Sequence, residues 1–209
     1  TYYARYYQSI SVKFDLNGGT GVAPQAVTGN RETNSYAIST VTNPEITMPT
    51  TTATKTGYTF GGWNANAAGT GTNYTVGQKY TSFTASTTVY AKWTANTYTV
   101  TYDGNGATGG STASSEHIYD VPKELTANGY TREYTVTYNY NGSGAENTQD
   151  KATYTFKNWN TNADGTGDSY TDKQVVENLT NTVGGTVNLY AQWNTGTITT
   201  PTPTRTGYT

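Results

Sequence analysis

His117 is the lone histidine of the chain, and cysteine is absent. Nucleophilic catalysis of the Ser–His–Asp kind would have to run through that one imidazole, and no nucleophile-elbow sequence accompanies it. Without a thiolate or a second imidazole, no transition-metal ligand set can be assembled. We expect His117 on a solvated loop or strand. Asn160, Asn162, Asp164 and Gly165 match the first half of a calcium loop, and Asp168 stands at its ninth place. Thr171 occupies the twelfth place, where a bidentate Glu belongs, and a related segment has Ala68 where this one has Asp164. A turn with polar side chains accounts for both segments, so these four residues are a weak calcium candidate. Lys13 is of the type that forms internal isopeptide bonds with Asn, but alternation places it on the polar face, opposite Phe14. Glycoside hydrolysis needs two carboxyls about 5–10 Å apart, and the 14 acids are scattered. No catalytic residue and no cofactor is expected.

The aromatic residues admit two chemistries. Trp63, Trp93, Trp159 and Trp193 either pack inside or form platforms that stack on pyranose rings. With Tyr 20, Trp 4 and Phe only 4, and few aliphatics, rings must supply the buried surface. The core reading is therefore preferred. Tyr2, Tyr3, Tyr6 and Tyr7, and the pair Tyr138 and Tyr140 on one strand face, are better ligand candidates, although an interface to a neighbouring module suits them too.

Stepping from residues to elements, self-similarity dominates. Tyr58, Phe60, Trp63 and Tyr74 recur as Tyr154, Phe156, Trp159 and Tyr170, and Val89-Tyr90-Ala91-Lys92-Trp93 recurs as Leu189-Tyr190-Ala191-Gln192-Trp193. Tyr58, Phe60, Trp63, Tyr90 and Trp93, with Tyr154, Phe156, Trp159, Tyr190 and Trp193, are the expected structural core. Each unit opens on an alternating strand: Ser11–Gly19, Tyr98–Gly106, and again Tyr134–Gly142. Three openers serve two Phe-x-x-Trp closers, so 98–133 reads as a half-unit, inserted or left by unequal duplication. The tail Thr202–Thr209 mirrors Thr52–Thr59 and begins a further closer. The expected organisation is a module over 1–95 with an extension at 1–9, a second over 96–194 that includes 98–133, and a linker at 195–209. The start, Thr1-Tyr2-Tyr3, carries no signal peptide and reads as a piece of a longer polypeptide.

Val12, Phe14 and Leu16 alternate with polar residues, as do Tyr98, Val100 and Tyr102. A period of two predicts strands with one buried face. Asn-Gly and Asp-Gly follow the openers and favour turns at positive φ. The best helix candidates are short, Asp120 to Thr126 and Tyr170 to Asn178. The charge of −2 offers no phosphate-binding surface, so nucleic acid is an unsuitable partner. No apolar run is long enough for a membrane-spanning helix, so no membrane insertion is expected. The absence of cysteine fits a bacterial surface better than a large secreted eukaryotic protein.

These motifs resemble the Listeria–Bacteroides repeat, the family of the internalin B-type B repeat. Positions 57–64, 90–93, 98–106, 153–160 and 190–193 carry the likeness, which extends over about residues 10–194. The resemblance implies a β-rich fold, all-β to α+β, of tandem β-grasp-like modules, each a twisted sheet with at most one short helix. It also implies export to the bacterial cell surface and no catalytic residues to carry over. A stalk or spacer role follows as an expectation, with adhesion to host or neighbouring surfaces, and with neighbouring repeats or a surface protein or glycan as partners. The alternative is a carbohydrate-binding module appended to a secreted enzyme.

Overall fold

The structure, a computed structural model, describes residues 5–33, 42–138 and 148–196. The chain divides into two compact units, one ending at Asn96 and the other starting at Thr97. Each is described by itself.

In the first unit, β1 (Tyr6–Asp15) is the opener and β2 (Val27–Thr33) pairs with it antiparallel. β3 (Ile46–Thr47), β4 (Tyr58–Asn64), β5 (Asn73–Tyr74), β6 (Lys79–Tyr80) and the closing strand β7 (Thr87–Ala95) follow. The main sheet has the order β2-β1-β7-β4-β5, and β3 pairs with β6 beside it. Opener and closer run parallel, with Val12 opposite Thr87 and Phe14 opposite Val89. The alternation of β1 is realised as Ile10, Val12 and Phe14 inside, with Lys13 exposed. These residues gather with Ile46, Met48, Trp63, Tyr74, Phe83 and Val89 into one core.

The second unit repeats the plan. β8 (Thr97–Asp103) is its opener, followed by β9 (Gly109–Gly110), β10 (Ser115–Ile118), β11 (Lys123–Glu124), β12 (Tyr130–Tyr138), β13 (Thr148–Asn160), β14 (Ser169–Tyr170), β15 (Val175–Val176) and the closer β16 (Gly185–Asn194). β8 lies between β10, antiparallel, and β16, parallel. Tyr98, Val100, Tyr102, Leu125, Trp159, Val176 and Leu189 form its core.

The described residues form no helix, which corrects both helix candidates. Within Asp120–Thr126 and Tyr170–Asn178, β11 and β15 pair with one another as the two strands of one small sheet. Positive φ at Asp120, Lys173 and Asn178 breaks each segment, and Pro122 removes a backbone donor.

The segment read as a half-unit supplies the front of the second unit. Thr20 and Thr54 exchange backbone hydrogen bonds in unit 1, and Thr108 N–H donates to Thr131 O in unit 2. Lys55 pairs with Tyr58 across the turn Thr56-Gly57, and Arg132 pairs with Tyr154. The Lys55 ammonium lies 4.3 Å from the Tyr58 ring centre and the Arg132 guanidinium 4.5 Å from that of Tyr154. These matched pairs locate the extra chain at residues 133–153. There the two-residue turn of unit 1 has grown into an arm, in which β12 pairs with β13 from Arg132↔Tyr154 to Tyr138↔Thr148. Tyr134–Tyr138 of the third opener sequence lie in one strand of that arm, and its residues 139–142 lie outside the described residues.

Candidate functional site

The ring positions common to both units are the place to look for chemistry. In unit 1, Trp63 is fully buried, with Phe14 edge-on at 4.8 Å and Phe60 edge-on at 5.3 Å. Phe60 also meets Trp93 at 5.6 Å. In unit 2, Trp159 is fully buried, with Tyr102 at 4.8 Å and Phe156 at 5.0 Å, and Phe156 meets Trp193 at 5.9 Å. Phe60, Trp93, Phe156 and Trp193 are half-buried and pack against these cores. Tyr58, Tyr90, Tyr154 and Tyr190 are half-buried. Edge-to-face pairs of this kind add about 0.5–1.5 kcal/mol each beyond the area they bury.

The indole nitrogens fasten the strands. Trp93 Nε1 donates to Leu16 O at 2.8 Å, and Trp193 Nε1 donates to Gly104 O at 3.0 Å. The closing strand of each unit thus ties down the end of its own opener. Trp63 Nε1 donates to Pro49 O at 2.8 Å. The Trp159 nitrogen is buried without an acceptor among the described residues.

Two asparagines per unit complete the frame, and the sequence reading missed three of these four. Asn17 and Asn105 sit at φ of 49° and 45°, which Asn tolerates better than most side chains. The Asn17 amide donates to Ala67 O and Ala91 O, and the Asn105 amide to Ala163 O and Ala191 O. Each binds the opener's turn to a loop and to the closing strand. Asn64 and Asn160 are fully buried. The Asn64 amide donates to Gly69 O, Gly71 O and Asn73 Oδ1, and its oxygen accepts the N–H groups of Asn66 and Gly71. The Asn160 amide donates to Gly165 O, Gly167 O and Ser169 Oγ, and its oxygen accepts from Asn162 and Gly167. The Trp-Asn dipeptide and the Asn-Gly after each opener were the available sequence signals.

The calcium candidates lie in this loop. The Asn160 oxygen accepts two N–H groups, which occupies both lone pairs. Asn162 donates to Thr166 Oγ1. The Thr166 hydroxyl and N–H hold the exposed Asp164 carboxyl below the usual carboxylate range. Asp168 contributes its backbone N–H to Thr161 Oγ1.

His117 is fully buried in β10, which corrects the expectation of a solvated position. Alternation along a strand whose neighbour β8 faces the core turns it inward. Its ring stacks on Tyr98 at 5.4 Å. Nε2 is 2.9 Å from Ser115 Oγ, which is 3.1 Å from the Tyr102 hydroxyl, and that hydroxyl accepts the Thr126 N–H. Nδ1 is buried without a partner among the described residues. Burial, and then the nearby Lys123 charge, push the imidazole below its ordinary value of 6.5. The folded unit therefore favours the neutral ring, and protonation favours the unfolded chain. Unit 2 is expected to lose stability as pH falls through 6.5, levelling off once the folded-state pKa is passed. Melting curves between pH 7.5 and 5 should show this for unit 2 but not for unit 1, and the difference should vanish in His117→Phe.

Other candidates are dispersed. Tyr6 and Tyr7 are exposed, at 56% and 58%. Tyr2, Tyr3 and Tyr140 lie outside the described residues, as do residues 197–209 of the tail. A shallow depression of about 290 Å³ lies beside Tyr74 and Phe83, and another of about 370 Å³ beside Asp103 and Tyr130. Neither is lined by two facing carboxylates.

The Listeria-Bacteroides repeat domain matches residues 11–92 and 98–132. The chain belongs to this family. The second match stops at Arg132, where the arm of the second repeat begins. Two relatives come from Evansella cellulosilytica. One, named "Putative Gly-rich membrane protein", is 34% identical over 66% of this chain and 14% of its own length. The other, named "Putative membrane protein", is 30% identical over 88% of this chain and 22% of its own length. The chain thus spans less than a quarter of either relative.

Proposed function

We propose that this chain is a non-catalytic repeat segment of a bacterial cell-envelope protein, serving as a stalk or spacer that holds other parts of its parent away from the cell and contributes adhesive contacts. One observation carries the reading. What the two units share is fold-holding chemistry: the indole-to-opener bonds, the Asn17 and Asn105 ties and the Asn64 and Asn160 loops. What differs includes polar contacts at the surface, as where Lys92 reaches Asn73 in unit 1 while Gln192 reaches Asn162 O in unit 2. Repeat arrays keep the residues that stack and fold each unit, and vary the rest. The names of the Evansella relatives and the family itself fit an envelope location. Deleting the segment from its parent should reduce surface reach or adhesion of the cells. Unchanged reach and unchanged adhesion would remove the support for this role.

The glycan-binding alternative has Tyr6 and Tyr7 in its favour, as exposed rings at the start of β1. A glycan array probed with the chain and with Tyr6→Ala/Tyr7→Ala separates the two readings. Binding lost in the double variant would favour the alternative.

A further inference from the structure

The arm of the second unit carries a strand that has two neighbours elsewhere in this chain and one here. Tyr134-Thr135-Val136-Thr137-Tyr138 is residue for residue the same as Tyr98-Thr99-Val100-Thr101-Tyr102. In β8 that pentapeptide lies between β10 and β16, and its counterpart β1 lies between β2 and β7. In the arm it pairs with β13 on one side, and on the other β9 covers only Tyr130 and Thr131. Beyond Thr131 no strand among the described residues pairs with that edge.

Backbone alternation says which residues face outward. Thr131 O accepts from Thr108 N, and Glu133 N donates to Thr108 Oγ1, both on the side away from β13. Thr135 and Thr137 therefore present their N–H and C=O groups on the same side. Nothing on this edge discourages pairing: from Tyr134 to Tyr138 there is no Pro, no Lys and no Gly. The other sheet edges are blunter. β5 and β14 are two residues long, β10 is four residues long and carries Glu116, and β2 contains Gly29, Arg31 and Glu32. The opposite edge of the arm carries Asp150 and Lys151 in its sequence.

We propose that the outer edge of β12 is a homotypic docking site, which pairs antiparallel with the same edge of a second copy of this chain. A folded second copy has no free closing strand to offer, because β7 lies between β1 and β4 and β16 between β8 and β13. Among the described residues its own arm is the open edge of five residues that no Gly, Pro or charge interrupts. The Glu133 N–H is already given to Thr108 Oγ1, so the open edge is Tyr134–Tyr138. Outward-facing residues must oppose outward-facing residues, and the register that uses that whole edge places Val136 opposite Val136. Thr135 then faces Thr137, and Tyr134 faces Tyr138. No like charges meet, and aromatic and β-branched residues are paired across the strands. The contact is small and therefore weak between single copies. Arrays on neighbouring cells would strengthen it through many simultaneous contacts. This inference rests on the arm's geometry and stands apart from the stalk reading.

The chain has no cysteine, so single thiols report the register. In the proposed pairing two Val136→Cys copies meet at about 4.5 Å between Cα atoms, within disulfide reach. Two Thr137→Cys copies, on the same exposed edge, lie about 9 Å apart and cannot bridge. Under mild oxidation Val136→Cys should form a covalent dimer at least about tenfold faster than Thr137→Cys or the exposed Ser82→Cys. Sedimentation equilibrium should show a reversible dimer of the unmodified chain, weakened at least about tenfold by Thr135→Pro, which removes the outward N–H while leaving the pairing with β13. Equal cross-linking rates at 136 and 137, or a chain that sediments as a monomer up to about 1 mM, would overturn the proposal.

Discussion

Trp159→Ala is expected to destabilise the second unit by about 3–5 kcal/mol, the usual range for deleting a fully buried large ring. For a domain of this size that lowers its melting temperature by more than about 12 °C. The reason lies in the contacts. Tyr102, Phe156 and Tyr130 all meet this indole, at 4.8, 5.0 and 6.3 Å. The first unit has its own core around Trp63 and should melt unchanged in this variant. Differential scanning calorimetry resolves the two transitions. A milder pair of substitutions separates packing from hydrogen bonding. Trp63→Phe leaves Pro49 O without its donor, whereas Trp159→Phe removes a donor that has no acceptor. The first should cost more than the second by about 1–3 kcal/mol. Equal costs would show that the two indoles are held by ring packing alone.

The second large effect is expected at Asn160. Replacing it by Ala removes three acceptor contacts and two donor contacts from the loop that leads to β14. The loop carbonyls regain water, so the net loss is about 2–3 kcal/mol rather than the full sum. Asn160→Asp should cost at least as much, because a carboxylate would face Gly165 O, Gly167 O and Ser169 Oγ with no proton to give. Amide exchange over residues 161–169 should quicken in both variants, while the matching loop at 65–73 in unit 1 stays protected. Neither calcium nor a chelator should move the midpoint of unit 2. A calcium-dependent rise would place the cation in this loop after all.

Much of the fold can be read from the chain because its signals are periodic. The alternation of Val12, Phe14 and Leu16, and of Tyr98, Val100 and Tyr102, predicts openers with one buried face; all are inside except Leu16, which is half-buried against the core. What cannot be read comes from contacts distant in sequence. β11 and β15 are two residues each and carry no period, so their segments resemble short helices until each is seen to pair with the other. His117 looks like a loop histidine because the Tyr98 ring that covers it lies on another strand. The half-unit is the clearest case. Unit 1 places Leu16 where unit 2 has Gly104, and a side chain at Gly104 would collide with the Tyr130 ring. Leu16 packs against the core of unit 1 and Tyr130 against that of unit 2, a contact made from a strand distant in sequence from the opener. The asparagine ties were visible as repeated dipeptides, but nothing in their spacing shows which carbonyls they hold.

The account depends on the repeated indoles being interior supports of two separate sheets. The most direct test is acrylamide quenching in the double variant Trp93→Phe/Trp193→Phe, where Trp63 and Trp159 are the remaining emitters. We predict blue-shifted emission that resists the quencher and does not respond to added saccharides. Red-shifted emission quenched as readily as a free indole, or protected only when a saccharide is present, would contradict the interior role and mark the rings as a binding surface.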